Sequence, residues 1–112
     1  MKAGNVTYSN LSDLPDTVPL FPLSGALLLP AGNMPLNVFE PRYLAMIEDA
    51  MATNRLIGMV QPRFDVDEEA EIPELCDVGC FGRITAFQEA GDNRLVVNLA
   101  GVCRFRLIRE EP

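Results

Sequence analysis

The sequence predicts a mainly β domain of the α+β kind: a small, bent, partly closed barrel of six or seven strands, with one amphipathic helix at about residues 41–53. Three observations carry this. Several short runs alternate apolar and polar residues with period two, as half-buried strands do. One stretch alone repeats its apolar residues with a helical period. Prolines and turn residues interrupt the chain often, and Gly82 falls inside a long strand, where a bulge or strong bend helps a sheet to curl.

Residues 1–16 are polar, show no sustained period and read as an irregular leader. The text changes at Thr17. In TVPLFPL, Val18, Leu20 and Pro22 alternate with Pro19, Phe21 and Leu23. Proline cannot donate to a ladder, so this is an edge strand or an interrupted one. Ser24-Gly25 marks a turn, and ALLLP (26–30) reads as a short buried strand closed by Pro30-Ala31-Gly32-Asn33. MPLNVF (34–39) is another short strand, with Leu36 and Val38 on one face.

Glu40 opens the helix, and Pro41 suits its first position, where the missing N–H costs nothing. Tyr43, Met46, Ile47 and Ala50 follow the i, i+3, i+4, i+7 rule, and Leu44 and Met51 widen the stripe. Asn54 is a stop. RLIGMVQP (55–62) returns as a strand.

The next stretch crowds Asp65, Asp67, Glu68, Glu69, Glu71, Glu74 and Asp77 together. A calcium loop fits at Asp65, Asp67 and Glu69. It fails at Ala70, where glycine is needed, and at Cys76, where a bidentate Glu is needed. A solvated loop is the expectation.

Val78 to Glu89 is a long strand, with Val78, Cys80, Ile84 and Ala86 facing the core and Phe81 and Phe87 facing away. Ala90-Gly91-Asp92-Asn93 is a hairpin turn. Arg94 to Ala100 runs back, Gly101 breaks or kinks the chain, and Cys103, Phe105 and Leu107 then alternate against Arg104 and Arg106.

Composition limits the chemistry. The chain has 112 residues, enough for one modest core, with 48% hydrophobic and 22% charged residues. Nine basic against 16 acidic residues leave a net charge of −7, which opposes a nucleic-acid or anionic-membrane surface. There is no His, and Lys2 is the only Lys. Histidine-based catalysis, a P-loop and a Ser–Lys dyad are therefore excluded or remote, and no enzyme is expected.

The three cysteines, Cys76, Cys80 and Cys103, do not suggest a secreted disulfide framework. No apolar signal core or membrane span is present, so a cytoplasmic chain with free thiols is expected. A zinc reading of CDVGC lacks ligands, since zinc takes about four. In an extended strand those two Cα atoms lie about 13 Å apart, too far for a disulfide. No metal and no cofactor are expected.

Four segments in order resemble the N-terminal, substrate-binding domain of Lon proteases: VPLFPLSGALLLPAGNMPLNVFEPRY (18–43), LIGMVQP (56–62), DVGCFGRI (77–84) and GVCRFRL (101–107). The match covers about residues 17–109 and looks most like stand-alone bacterial Lon-domain proteins without ATPase and protease parts. It implies a PUA-like pseudo-β-barrel over 17–112. In the family a helical subdomain usually follows, and this chain is expected to lack it. Pro30-Ala31-Gly32 is slightly wider than the family's usual Pro-Gly turn.

The resemblance implies a non-catalytic module that binds unfolded or flexible polypeptide, with a role in protein quality control. The alternative is a structural or self-assembling domain, in which case a homo-oligomer is the partner. Candidate contacts with polypeptide or with the missing subdomain are Phe81, Phe87, Arg83, Arg104 and Arg106. The three arginines are expected to share one exposed face, which either stands in solvent or receives acidic residues of a partner or of the chain's own 65–77 loop. The family motif Glu40-Pro41-Arg42-Tyr43 is read as structural, with Glu40 at the helix N-terminus and Arg42 pairing locally; a peptide-recognition role for Glu40 and Arg42 is the other reading.

Overall fold

A computed structural model describes residues 1–23, 27–62 and 75–110. Its elements in chain order are β1 (Lys2–Ala3), β2 (Val6–Thr7), a 3-10 turn (Leu11–Asp13), β3 (Leu20–Pro22), β4 (Asn33–Val38), α1 (Pro41–Ala52), β5 (Leu56–Val60), β6 (Val78–Glu89) and β7 (Leu95–Arg106). The domain is mainly strand, with one α-helix among the described residues.

The principal sheet has five strands in the order β3-β5-β6-β7-β4. β3 pairs parallel with β5, and the other pairs are antiparallel. A parallel pair needs a long connection. Here β4 and α1 supply it, because the chain leaves β3 at one edge, forms the opposite edge as β4, and crosses back through the helix. Among the described residues the edges β3 and β4 do not pair, so the sheet is not a closed barrel.

Both faces of the sheet are covered. On the front, Phe21, Leu36, Val38, Ile57, Met59, Cys80, Ile84, Val97 and Leu99 pack with Ile47 and Ala50 of α1. The apolar stripe of the helix therefore seals this face as its period required. On the back, Leu56, Phe81, Ala100 and Val102 pack with Ala3 and Tyr8, and Val6, Leu14 and Val18 join them. The first residues are thus not an irregular leader throughout. They form a small hairpin, β1 with β2, turned by Gly4 at φ 61°. Tyr8 N–H donates to the Met1 carbonyl at 2.6 Å, and the Met1 ammonium donates to the Tyr8 carbonyl at 3.1 Å. Two buried faces explain why every residue of β5 is buried.

The long β6–β7 hairpin sets the geometry of the rest. Its turn holds Gly91, Asp92 and Asn93 at positive φ, as the turn residues predict. Its pairing shifts twice, between Cys80 and Gly82 and between Ile84 and Ala86. At the first shift Val102 and Cys103 together oppose Phe81, so the alternation of β7 reverses relative to β6. Arg104 then pairs with Cys80, and Arg106 with Val78. Cys103 and Phe105 go to the back cluster, while Cys80 stays in the front one.

Of the two readings of Gly101, the break fails, since β7 runs from Leu95 to Arg106, and the kink has its counterpart in the bulge that follows directly. Val78, expected in the core, is 47% exposed. The second shift likewise turns Ala86 out to solvent and returns Phe87 to the row of Val97.

Gly101 serves a close approach instead. A β-carbon there would sit on the Leu29 carbonyl oxygen. The turn after Leu29 docks at this point: Gly101 N–H donates to the Gly32 carbonyl at 2.8 Å, and Ala31 N–H donates to the Gly101 carbonyl at 3.0 Å. Residues 27–29 are consequently not a buried strand. Leu28 alone is buried, whereas Leu27 and Leu29 are exposed. The Ser24-Gly25 turn, Ala26 and acidic residues 65–74 lie outside the described residues.

Two outcomes check this packing. Gly101→Ala forces the 29–32 turn off β7 and is expected to cost about 3 kcal/mol or to prevent folding. Gly91→Ala, whose added carbon meets nothing, costs only the left-handed strain of about 1–2 kcal/mol. Urea unfolding of both variants measures this, and equal losses would contradict the close approach.

The second outcome concerns pH. Burial, reinforced by nearby Cys103, pushes the Cys80 thiol up to about 11 from an ordinary 9.0, while a hydrogen bond from the Val102 backbone and the charge of Arg104 pull the other way. Between those two values the unfolded chain loses this proton first, so stability falls as pH rises through the window. Unfolding midpoints from pH 8 to 11 should show this decline in the wild type and a shallower one in Cys80→Ala.

Candidate functional site

The residues singled out in the sequence are dispersed by the fold. Phe81 does not face outward. It is 7% exposed, buried in the back cluster, with its ring edge-on to Phe105 at 5.0 Å between centroids. The expectation assumed one buried face, and the leader hairpin and Phe105 cover the second. Gly58 and Gly79 leave room for the Phe105 ring, whose atoms a β-carbon at Gly79 would meet at 2.5 Å. Phe87 is 56% exposed, but it stands in the row of Val97, on the front side.

The three arginines do not share a face. Arg83 lies on the back side, where its Nη1 donates to the Asn54 carbonyl at 3.2 Å and to the Tyr8 hydroxyl at 3.4 Å. It ties the leader to the end of the helix connection. Arg104 and Arg106 are exposed on the front side, opposite Cys80 and Val78.

The Glu40-Pro41-Arg42-Tyr43 motif occupies the start of α1. Glu40 is the residue before the first turn, with an extended backbone and no side-chain cap bond, and Pro41 begins the helix. Arg42 Nη2 approaches Glu40 Oε1 at 3.9 Å, with both side chains largely in solvent. Its guanidinium lies 4.6 Å from the centre of the Tyr43 ring. Tyr43 in turn stacks on Phe21, 4.4 Å between centroids and 28° between planes. Partial burial raises the Tyr43 phenol above its ordinary value; Arg42 opposes that rise and Glu40 adds to it. The motif therefore fastens the helix start to edge strand β3.

Around Arg104 the structure opens. A cleft of about 280 Å³ lies between residues 27–29, the end of β5 and the start of β6. Its walls are Leu28, Met59, Val60 and Cys80, and Arg104 stands among them. Leu27 at 68%, Leu29 at 45% and Val78 at 47% exposure form an apolar rim. Among the described residues Arg104 has no carboxylate partner. The cleft exists because the turn after Leu29 is pinned at Gly101, which holds Leu27 and Leu29 out from the sheet. Sequence reading missed these leucines, since three in a row carry no period.

Cys76 joins Cys80 in lining the cleft, with its Sγ 3.8 Å from the Pro62 carbonyl oxygen. Among the described residues no group of three or more His, Cys, Asp or Glu side chains gathers to hold a metal ion. No helix among them is long and apolar enough to cross a membrane.

Comparison with known proteins bears on this arrangement. The family model for the ATP-dependent protease La (LON) substrate-binding domain matches residues 17–112. Lon protease 2 of Myxococcus xanthus is 30% identical over 106 residues, covering 92% of this chain and 13% of that protein. Lon protease 2 of Sorangium cellulosum is 34% identical over 93 residues, covering 82% of this chain and 12% of that protein. The chain thus spans about an eighth of the length of these relatives. The crystal structure of a Lon N-terminal domain protein from Xanthomonas campestris superposes with a TM-score of 0.67 at 35% identity, covering 84% of this chain and 50% of that one. A mainly β sheet with one sealing helix, carrying these four segments in order, belongs to the Lon protease substrate-binding domain family.

Proposed function

We propose that this chain is a non-catalytic module that binds unfolded or flexible polypeptide in the cytoplasm, with a role in protein quality control. The observation that carries the reading is the apolar cleft with its exposed rim of Leu27, Leu29 and Val78, in a chain of a substrate-binding family. Apolar side chains this exposed are costly to leave in water, and an incoming apolar side chain gains about 25 cal/mol per Å² of surface it removes. The cleft is smaller than a typical small-molecule pocket and suits a single side chain of a peptide.

The chemistry of the chain agrees with binding alone. It contains no His, and its one Lys, Lys2, lies on the back of the molecule in the leader hairpin. Phe87 and Arg106 are secondary contacts on the same side of the sheet.

The test is a titration with reduced, carbamidomethylated lactalbumin followed by fluorescence anisotropy. The wild-type chain binds it, and Leu29→Asp weakens binding about tenfold or more while leaving the thermal unfolding midpoint within a few degrees. An unaffected affinity in that variant removes the cleft from the binding surface. If binding is absent and the wild type instead self-associates in sedimentation, the assembly alternative holds.

A further inference from the structure

The cleft is lined mostly by apolar side chains, with the neutral amide of Gln61 and the thiols of Cys76 and Cys80 beside a single cation. Among the described residues lining it, Arg104 is the only charged side chain, and it is exposed and without a carboxylate partner. It sits directly across from Cys80, on the same face and in the adjacent strand, so its stem runs beside the cleft wall. The rest of the protein is acidic, with a net charge of −7, and repels polyanionic ligands. The chemistry therefore fits a ligand that brings one negative charge beside one apolar side chain.

A polypeptide can supply that pair in two ways. In an extended internal segment, neighbouring side chains point to opposite sides, so an acidic residue and its apolar neighbour cannot both enter one small cleft. Residues two apart share a side but stand about 7 Å from each other, a wide span for a cleft of 280 Å³. A chain end avoids both constraints, because its last residue carries the apolar side chain and the carboxylate on one Cα. Arginine also matches a carboxylate with two parallel N–H donors, which a side chain in a partly apolar setting can hold.

We propose that the cleft captures the C-terminal residue of a polypeptide, with an aliphatic side chain against Leu28, Met59 and Val60 and the terminal carboxylate on Arg104. This rests on the polypeptide-binding reading above and specifies its ligand. Neither the family match nor the relatives' names assign such a role to this arginine.

The experiment uses the full 112-residue chain and three fluorescein-labelled heptapeptides of neutral sequence. One ends in Leu with a free carboxylate, one is the same peptide amidated, and one is amidated with a Glu two residues before the Leu. Anisotropy is expected to show the free acid binding about tenfold tighter than either amide. Arg104→Gln is expected to bring the acid down to the amide's affinity, whereas Arg94→Gln, in the distant hairpin turn, preserves the difference. Circular dichroism melting confirms that both variants are folded.

Equal binding of acid and amide overturns the proposal, as does a difference that survives Arg104→Gln. Binding of the internal-Glu amide as tight as the free acid assigns Arg104 to internal acidic residues and overturns it too. Lactalbumin measured in parallel separates the two levels: binding of lactalbumin without acid-over-amide preference refutes the end-capture role alone, and no binding of either refutes the polypeptide reading with it. A dimer in sedimentation that Leu29→Asp dissolves assigns the cleft to a second copy of this chain and overturns the proposal as well.

Discussion

The register shift at Phe81 is the constraint on which the rest of the structure depends. Two residues of β7, Val102 and Cys103, oppose that one residue of β6. The extra residue reverses which side of β7 faces the helix. Phe105 consequently joins Phe81 on the back, where the leader hairpin covers both, and the arginines at 104 and 106 come to the front beside Cys80 and Val78. Without the shift, Arg104 would point into the back cluster, and the cleft would be closed by apolar side chains from both strands.

A second device works with the first. Gly101, one residue before the bulge, lets the turn after Leu29 lie against the β7 backbone and hydrogen-bond to it on both sides of the peptide. That contact fixes the height at which Leu27 and Leu29 stand above the sheet. The cleft is thus made by backbone geometry in β7 more than by the side chains that line it. Its rim leucines keep much of their surface in water, Leu27 at 68% and Leu29 at 45% exposure, and are available to a ligand. The helix contributes on the same front side, where Tyr43 stacked on Phe21 holds the edge strand that pairs with β5.

The legible parts of the fold were those whose periodicity is local. The stripe of Tyr43, Met46, Ile47 and Ala50 marked the helix to within a residue, and Val78 to Glu89 was readable as one strand because its ends are set by turn residues. Gly82 signalled an irregularity, and the register does shift beside it. What could not be read was long-range. Nothing local in β7 says that Val102 and Cys103 share one partner, so the alternation does not reveal that the two halves of the hairpin serve two cores. The same gap placed Phe81 outside, because a two-residue strand such as Lys2–Ala3 has too little pattern to announce that a polar leader covers a sheet face. The arginines were legible as exposed cations, but their division between faces was not, since Arg83 lies on the far side of the shift from Arg104.

The most direct test of the account is amide chemical-shift mapping of the isotope-labelled chain during addition of unfolded lactalbumin. The account predicts perturbations concentrated at residues 27–29, 59–60, 78–80 and 104, with the back-face amides of residues 3, 56 and 102 unmoved. Shifts confined to the back face, or to the exposed surface of the helix, would contradict it.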